Sequence, residues 1–165
     1  MVTEVVTILV GPPCVGKSTY LKNIDYDFVI SSDDIVDLLS SQAKIQYHEF
    51  FKLPMKAKIR KIHNQIFNQL IEESKSFSNV VWDLTNLTKK ARKAIFNHYP
   101  GATFHAVVFE FLGNEESILK RNQQRFKQQG KFIDERIIKS MLSSYQPVEA
   151  KEGFKNIKLI EFCNK

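Results

Sequence analysis

The run of β-branched and apolar residues at Val5–Val10 leads directly into the stretch GPPCVGKST and then into residues compatible with a helix. The spacing of Gly11, Gly16, Lys17 and Ser18 is typical of a phosphate-binding loop that joins a strand to a helix. Backbone N–H groups of such a loop, with the positive end of the following helix, form a concavity for a polyanion. We therefore expect this segment to form a nucleotide-binding P-loop.

The side chains of this loop have separate expected tasks. Lys17 can reach the β and γ phosphates of a nucleoside triphosphate, and the Ser18 hydroxyl can enter the coordination shell of Mg²⁺. ATP, or another nucleoside triphosphate, with Mg²⁺ is thus the expected ligand. Cys14 stands where such loops often have glycine or alanine, and we expect only a modest adjustment there. The expected nucleotide-binding residues of the loop are Gly11, Pro12, Pro13, Cys14, Val15, Gly16, Lys17, Ser18 and Thr19.

Length and composition predict an ordinary globular protein. The chain has 165 residues, 43% hydrophobic and 25% charged, which suits a single domain over residues 1–165. No apolar run approaches the roughly 20 residues of a membrane helix, and we expect residues 1–11 to be a core strand that leads into the loop rather than a signal peptide. We therefore expect a cytoplasmic location, no membrane partner and no obligate protein partner. Two cysteines indicate neither a disulfide framework nor a metal site, and the net charge of +6 weakly favours a polyanionic partner.

Strand-like and helix-like segments alternate along the chain, which predicts a mostly parallel, doubly wound α/β sheet with helices on both faces. The expected strands are residues 3–10, Phe28–Ser31, Asn79–Asp83, residues 102–111 and residues 156–162. The expected helices are residues 17–23, one that Asp33 caps or enters, and residues 55–76, 88–99, 114–129 and 134–145. Residues 42–54 show no clear pattern.

Two aspartates follow predicted strands, Asp33 after FVISS and Asp83 after NVVW. The carboxyl ends of the strands form the active-site edge of an open α/β sheet, so both should lie near Lys17. Phosphoryl transfer to an alcohol needs a carboxylate that accepts the hydroxyl proton, and Asp33 is the candidate base. The alternative for Asp33 is a simple helix N-cap. Asp83 could position the acceptor or a solvated metal ion, or it could be only a cap or turn residue.

The stretch KRNQQR at residues 120–125 supplies cations that could cover the phosphates. Arg121 and Arg125 are four residues apart and would share one helix face, as a pair of lid arginines would. The planar guanidinium stays charged and can hold two phosphate oxygens at once. We therefore expect a lid at about residues 114–133 in which both arginines bind nucleotide and Arg125 takes part in catalysis. A solvated basic helix face is the alternative.

Other residues could contact a nucleic acid; the alternative is a solvated helix face for the basic residues and core packing, which is the more common case, for the aromatic ones. Aromatic side chains that could stack on a terminal base are Trp82, Phe50 and Phe51. Basic clusters that could follow a nucleic-acid backbone are Lys56, Lys58, Arg60 and Lys61, and Lys89, Lys90, Arg92 and Lys93.

In their order, these motifs resemble the kinase domain of the bacteriophage polynucleotide 5'-hydroxyl kinases and their P-loop kinase relatives. The resemblance covers nearly the whole chain, through GPPCVGKST, SSDD at 31–34, WDLTNL at 82–87, KRNQQR at 120–125 and IDERIIKSMLSSY at 133–145. It implies that Asp33 is the general base, Arg125 the clamping lid arginine, and Lys17 and Ser18 the P-loop pair. It further implies transfer of the γ-phosphate of ATP to the 5'-hydroxyl end of DNA or RNA.

The resemblance also bears on the acceptor and on the setting. Asp33, Asp83 and Asn86 are expected to bind the acceptor, and a role in nucleic acid repair, in the host cytoplasm if the protein is phage-encoded, would follow. Val36 stands where the phage kinases have an arginine that contacts substrate phosphate, and Leu84 separates Asp83 from the following Thr-Asn pair. Two alternatives therefore stay open. One is a P-loop kinase of a nucleoside, sugar, antibiotic or toxin-type protein acceptor, and the other is a nucleotide-dependent regulatory module.

Overall fold

A computed structural model describes residues 2–163 of the chain. Strands and helices alternate as β1 (Val5–Val10), α1 (Lys17–Leu21), β2 (Phe28–Ser31), α2 (Asp33–Ala43), α3 (Tyr47–Phe50), α4 (Lys58–Ser74), β3 (Asn79–Asp83), α5 (Lys89–His98), β4 (Thr103–Phe109), α6 (Glu115–Gln129), α7 (Glu135–Ser144) and β5 (Asn156–Ile160). A single 3₁₀ turn, Ala150–Glu152, precedes β5. Within residues 2–163, no helix combines the length and the apolar character needed to cross a membrane.

The five strands form one sheet in the order β2-β3-β1-β4-β5, and every neighbouring pair is parallel. Parallel neighbours cannot be joined by tight turns, so each connection crosses over one face of the sheet and carries a helix. The strand that precedes the P-loop, β1, lies at the centre between β3 and β4. The predicted α/β class with a parallel sheet is therefore confirmed.

Two apolar cores cover the two faces of this sheet. Successive side chains of a strand point to opposite faces, and β1 shows this directly. Leu9 belongs to one buried cluster, while Ile8 and Val10 belong to the other. Burial on both faces explains why the central strands are almost continuously apolar rather than alternating.

The ends of several elements differ from the predicted ends. Strand β1 begins at Val5 because the preceding Thr3 hydroxyl donates to the Ser74 carbonyl at 3.2 Å and holds the chain against α4. Helix α4 begins at Lys58 rather than near residue 55, since a turn closed by the Ala57 N–H on the Pro54 carbonyl comes first. The unpatterned residues 42–54 contain α3, a single turn. The Glu49 carboxylate stabilises its start by accepting the backbone N–H of Gln46 at 2.9 Å.

Candidate active site

The glycine-rich loop follows β1 at the carboxyl edge of the sheet and ends at the first residue of α1. Gly11 cannot be replaced without a shift of its neighbours, because an added Cβ would lie 3.0 Å from the Phe109 Cβ. Its N–H donates to the Thr85 carbonyl at 2.9 Å and thereby joins the loop to the segment after β3. Gly16 has a φ of 105°, a left-handed conformation that glycine adopts without strain.

Cys14 has a φ of 68°, which is unusual for a residue that carries a Cβ. A left-handed backbone costs such a residue roughly 1–2 kcal/mol, so the loop stores more strain than the sequence suggests. Arg121 supports this conformation, since its Nη1 donates to the Cys14 carbonyl at 3.0 Å. The loop is therefore held in shape from the side of α6.

The Lys17 ammonium lies inside the loop. Its Nζ donates to the Gly11 carbonyl at 2.8 Å and to the Leu84 carbonyl at 3.3 Å. Burial lowers the pKa of Lys17 to about 8, and the negative charges of Asp83 and Asp33 act in the opposite direction. Lys17 thus joins the P-loop to the end of β3, with both candidate carboxylates close enough to affect its charge.

Nucleotide affinity should fall as the pH rises through the pKa of Lys17. Phosphates attract only the protonated amine, so the dissociation constant for ATP should be flat below about pH 8 and rise up to about tenfold per pH unit above it. Displacement of a fluorescent nucleotide between about pH 6.5 and 9.5 measures this profile. Lys17→Arg is the matched control, because its guanidinium stays charged and its profile should be flat. A flat profile for the unaltered protein would contradict the lowered pKa of Lys17.

Asp33 is the first residue of α2, and the N-cap position is occupied by Ser32. Helix capping is therefore not the role of Asp33. Its Oδ1 accepts a hydrogen bond from the Tyr47 hydroxyl at 2.6 Å, and its Oδ2 lies 3.6 Å from Nη2 of Arg125. The side chain of Asp33 is still 49% exposed, so a molecule from solvent can reach this carboxylate.

Tyr47, on α3, is the residue of this site that sequence reasoning missed. It is buried, and burial together with the neighbouring Asp33 raises its pKa. Its hydroxyl therefore keeps its proton and serves as a donor to the carboxylate. The one available signal was the concentration of aromatic residues in YHEFF, at residues 47–51.

Asp83 and Asn86 lie in the segment that follows β3, but they are placed differently. Asp83 ends β3 opposite Ser31 of β2, near enough to Lys17 and Asp33 for their charges to act on it. Burial raises the pKa of Asp83, Lys17 lowers it and Asp33 raises it. The Asn86 amide is buried and donates to the Leu9 carbonyl at 2.8 Å. This bond anchors the segment to β1, so the geometry favours a positioning role for Asn86, and its contact with an acceptor stays a prediction.

Arg121 and Arg125 share one face of α6, but they reach different partners. Arg121 contacts the P-loop through Cys14, donates to the Cys163 carbonyl and covers the Phe162 ring at 4.3 Å. Arg125 points instead towards Asp33. The predicted lid segment thus contacts both the phosphate loop and the candidate base.

The structure corrects three of the residues considered for nucleic-acid contact. Trp82 is buried and donates from Nε1 to the Tyr99 hydroxyl at 2.9 Å, and Phe50 is also buried. Arg92 is 0% exposed and forms a bidentate pair with Glu152, at 2.8 and 3.2 Å. These side chains cannot stack on a base or follow a backbone. The order of apolar and polar residues around these three positions in the sequence does not show whether a side chain faces solvent or the core.

The chain is similar to a known protein family and to several solved structures. Residues 6–148 match the AAA domain family. The fold is similar to a solved Pnkp1/Rnl/Hen1 RNA repair complex, with a TM-score of 0.64 and 22% identity over 87% of this chain and 44% of that chain. The chain therefore spans less than half of that relative.

Two further solved structures are matched over most of both chains. They are Chaetomium thermophilum Kti12 in complex with ADP-AlF3, with a TM-score of 0.63 and 13% identity over 97% of this chain and 90% of that chain, and a gluconokinase from Sinorhizobium meliloti 1021, with a TM-score of 0.51 and 17% identity over 99% and 84%. These likenesses concern the fold. Together with the match over residues 6–148, they lead to one conclusion: the chain belongs to the AAA domain family and has the fold of a nucleotide-binding P-loop kinase.

Proposed function

We propose that this protein is an ATP-dependent polynucleotide 5'-hydroxyl kinase, which transfers the γ-phosphate of ATP to the 5'-hydroxyl end of DNA or RNA. The observation that carries the proposal is the half-exposed Asp33 carboxylate beside the P-loop, with one oxygen held by Tyr47 and the other without a hydrogen bond to Arg125. The net charge of +6 and the likeness to an RNA repair complex support a nucleic acid as the acceptor.

In the proposed reaction, Asp33 acts as the general base. Its Oδ2 is 3.6 Å from Arg125, too far for a hydrogen bond, so this oxygen can accept the proton of the acceptor hydroxyl. The acceptor oxygen then forms a bond to the γ phosphorus, the bond from that phosphorus to the β–γ bridging oxygen breaks, and ADP leaves with the electron pair. Tyr47 donates to Oδ1 throughout and fixes the direction in which Oδ2 points.

Cations of the P-loop and of α6 would hold the phosphates during this transfer. Lys17 lies inside the loop, and Arg125, now beside Asp33, would turn to a phosphate oxygen. The oxygen ligands at this edge suit Mg²⁺, since Ser18 is exposed and Asp83 lies beside Lys17. Among residues 2–163, no cluster of three His, Cys, Asp or Glu forms a protein metal cage. Magnesium would thus bind mainly through the phosphates, whose charge it would neutralise.

The proposal is tested by incubating the protein with γ-labelled ATP, Mg²⁺ and single-stranded DNA or RNA oligonucleotides. Label should appear on oligonucleotides with a 5'-hydroxyl end. The matched control is the same oligonucleotide with a 5'-phosphate, which offers no hydroxyl at that end and should stay unlabelled. Absence of label from every 5'-hydroxyl oligonucleotide, under conditions in which ATP binds, would overturn the polynucleotide acceptor.

A kinase of a small molecule or of a protein is the second candidate. The observation that favours it is Val36, which is buried in the core one turn along α2. Helix α2 therefore offers no cation next to Asp33 for a phosphate of the acceptor. In this case label should pass from ATP to a nucleoside, a sugar or a protein, and the rate should still depend on Asp33.

A further inference from the structure

Two exposed aromatic rings lie against the short helix α3, close to the candidate base. The chain has 13 phenylalanines, and among the described residues only Phe51 and Phe126 are exposed, at 37% and 44%. The Phe51 ring packs on Tyr47 with centroids 5.3 Å apart, and the Phe126 ring faces His48 at 6.5 Å. Both exposed rings thus contact consecutive residues of one helix.

Phe51 is connected to the Asp33 carboxylate through Tyr47. It is the C-cap residue of α3, four positions after Tyr47, and therefore lies on the same face of this turn. The Tyr47 hydroxyl bonds to Asp33 at 2.6 Å, while the Tyr47 ring contacts Phe51. An exposed ring is consequently separated from the base by a single side chain, whose position is fixed at both ends.

Lysines lie near these rings. Lys131 Nζ lies 5.7 Å from the centroid of the Tyr47 ring and forms an ion pair with Asp37 at 2.5 Å. Lys52 directly follows Phe51, Lys56 comes four positions after Lys52, and both lysines are exposed. Exposed aromatic rings within a positive surface are the combination that binds single-stranded nucleic acid, because bases stack on the rings and phosphates contact the cations.

We propose that Phe51 stacks on the base of the acceptor's first nucleotide, while the backbone that follows passes Lys52 and Lys56. This inference rests on the proposed function and adds a substrate preference to it. A base within a duplex is already paired and stacked, and freeing it costs energy. The kinase should therefore prefer a 5'-hydroxyl end that is single-stranded over one at a blunt duplex end.

The first test compares Phe51→Ala with Phe51→Tyr, which keeps the ring. Loss of one base–aromatic stack should raise KM for a single-stranded acceptor about 5- to 150-fold in Phe51→Ala. The kcat should stay unchanged, because a stack away from the reacting atoms stabilises the bound substrate and the transition state equally. Phe51→Tyr should keep the original KM. Tyr26→Ala is the matched control, because Tyr26 is also 37% exposed but precedes β2 at the opposite edge of the sheet.

A second acceptor decides whether the effect arises from the base. An oligonucleotide whose first nucleotide has no base should bind the unaltered protein as weakly as a normal oligonucleotide binds Phe51→Ala. Phe51→Ala should not weaken the binding of this abasic oligonucleotide further, because the same contact cannot be lost twice. Equal losses on normal and abasic acceptors would overturn the proposal. The unfolding midpoint of each variant shows whether the fold as a whole is intact.

A measurement without phosphoryl transfer separates this inference from the proposed function. A 5'-terminal 2-aminopurine base loses fluorescence when it stacks, and it can be titrated with the protein and a non-transferable ATP analogue. Quenching that requires Phe51 supports the stacking site even if no oligonucleotide is phosphorylated, an outcome that would overturn only the kinase activity. Phosphorylation of oligonucleotides without quenching, and without dependence on Phe51, would overturn the stacking site and leave the kinase proposal standing.

Discussion

Asp33→Asn should lower kcat for phosphoryl transfer by at least about a hundredfold, the scale expected for loss of a general base. The asparagine amide can still accept a hydrogen bond from Tyr47, so the packing of α2 against α3 should stay intact. It cannot take up the proton of the acceptor hydroxyl. Steady-state transfer of γ-labelled phosphate measures kcat, and nucleotide displacement should show an ATP affinity close to that of the unaltered protein.

Asp34→Asn is the matched control for this substitution. Asp34 is the next residue of α2, it is exposed, and its substitution changes the net charge by the same amount. Its kcat should stay within about threefold of the original value, since surface substitutions away from special features have small effects. An Asp33→Asn variant that retains full kcat would refute the assignment of the base, and equal losses in both variants would indicate a general charge effect.

Arg92→Met should lower the free energy of unfolding by about 3–5 kcal/mol, the cost of removing one partner of a buried ion pair. Arg92 is fully buried, and besides Glu152 it donates to the carbonyls of Asn86 and Gln146, both at 2.9 Å. The substitution removes the guanidinium from these acceptors and leaves the Glu152 carboxylate with the Glu149 N–H, at 2.8 Å, but without a neutralising charge. Urea unfolding followed by circular dichroism measures the change.

Two further variants make this prediction specific. Lys93→Met alters the next, exposed residue of α5 and should change the free energy of unfolding by less than about 0.5 kcal/mol. Arg92→Met combined with Glu152→Met removes both charges and should recover part of the loss, since no charge is then left buried alone. If Arg92→Met unfolds at the urea concentration of the original protein, the ion pair contributes nothing to stability.

The parts of the site that follow strands could be predicted from the sequence. Strands β2 and β3 have the predicted ends, Phe28–Ser31 and Asn79–Asp83, because short apolar runs bounded by polar residues form buried parallel strands. In a parallel sheet these ends share one edge, and the register pairs Ser31 with Asp83. The expectation that Asp33, Asp83 and Lys17 lie together follows from that topology, while their chemical roles stay predictions.

Contacts between distant segments could not be predicted in the same way. Tyr47 lies in a single turn that is too short to show a helical period, and its bond to Asp33 joins residues 14 positions apart. Arg92 stands among lysines on an otherwise polar stretch, and its partner Glu152 is 60 positions away. Local pattern carries no information on such pairs, because it reports the face of an element and not what packs against it.

The ion pair of Arg92 also limits how the protein can be shortened. The match to the AAA domain family ends at residue 148, before Glu152 and before β5. A fragment cut at that border would leave the buried guanidinium without its carboxylate and would expose the hydrogen-bonding edge of β4, to which β5 is paired. The border of the family match is therefore not a border at which the chain can be divided, and we expect a stable fragment to need β5, through residue 160.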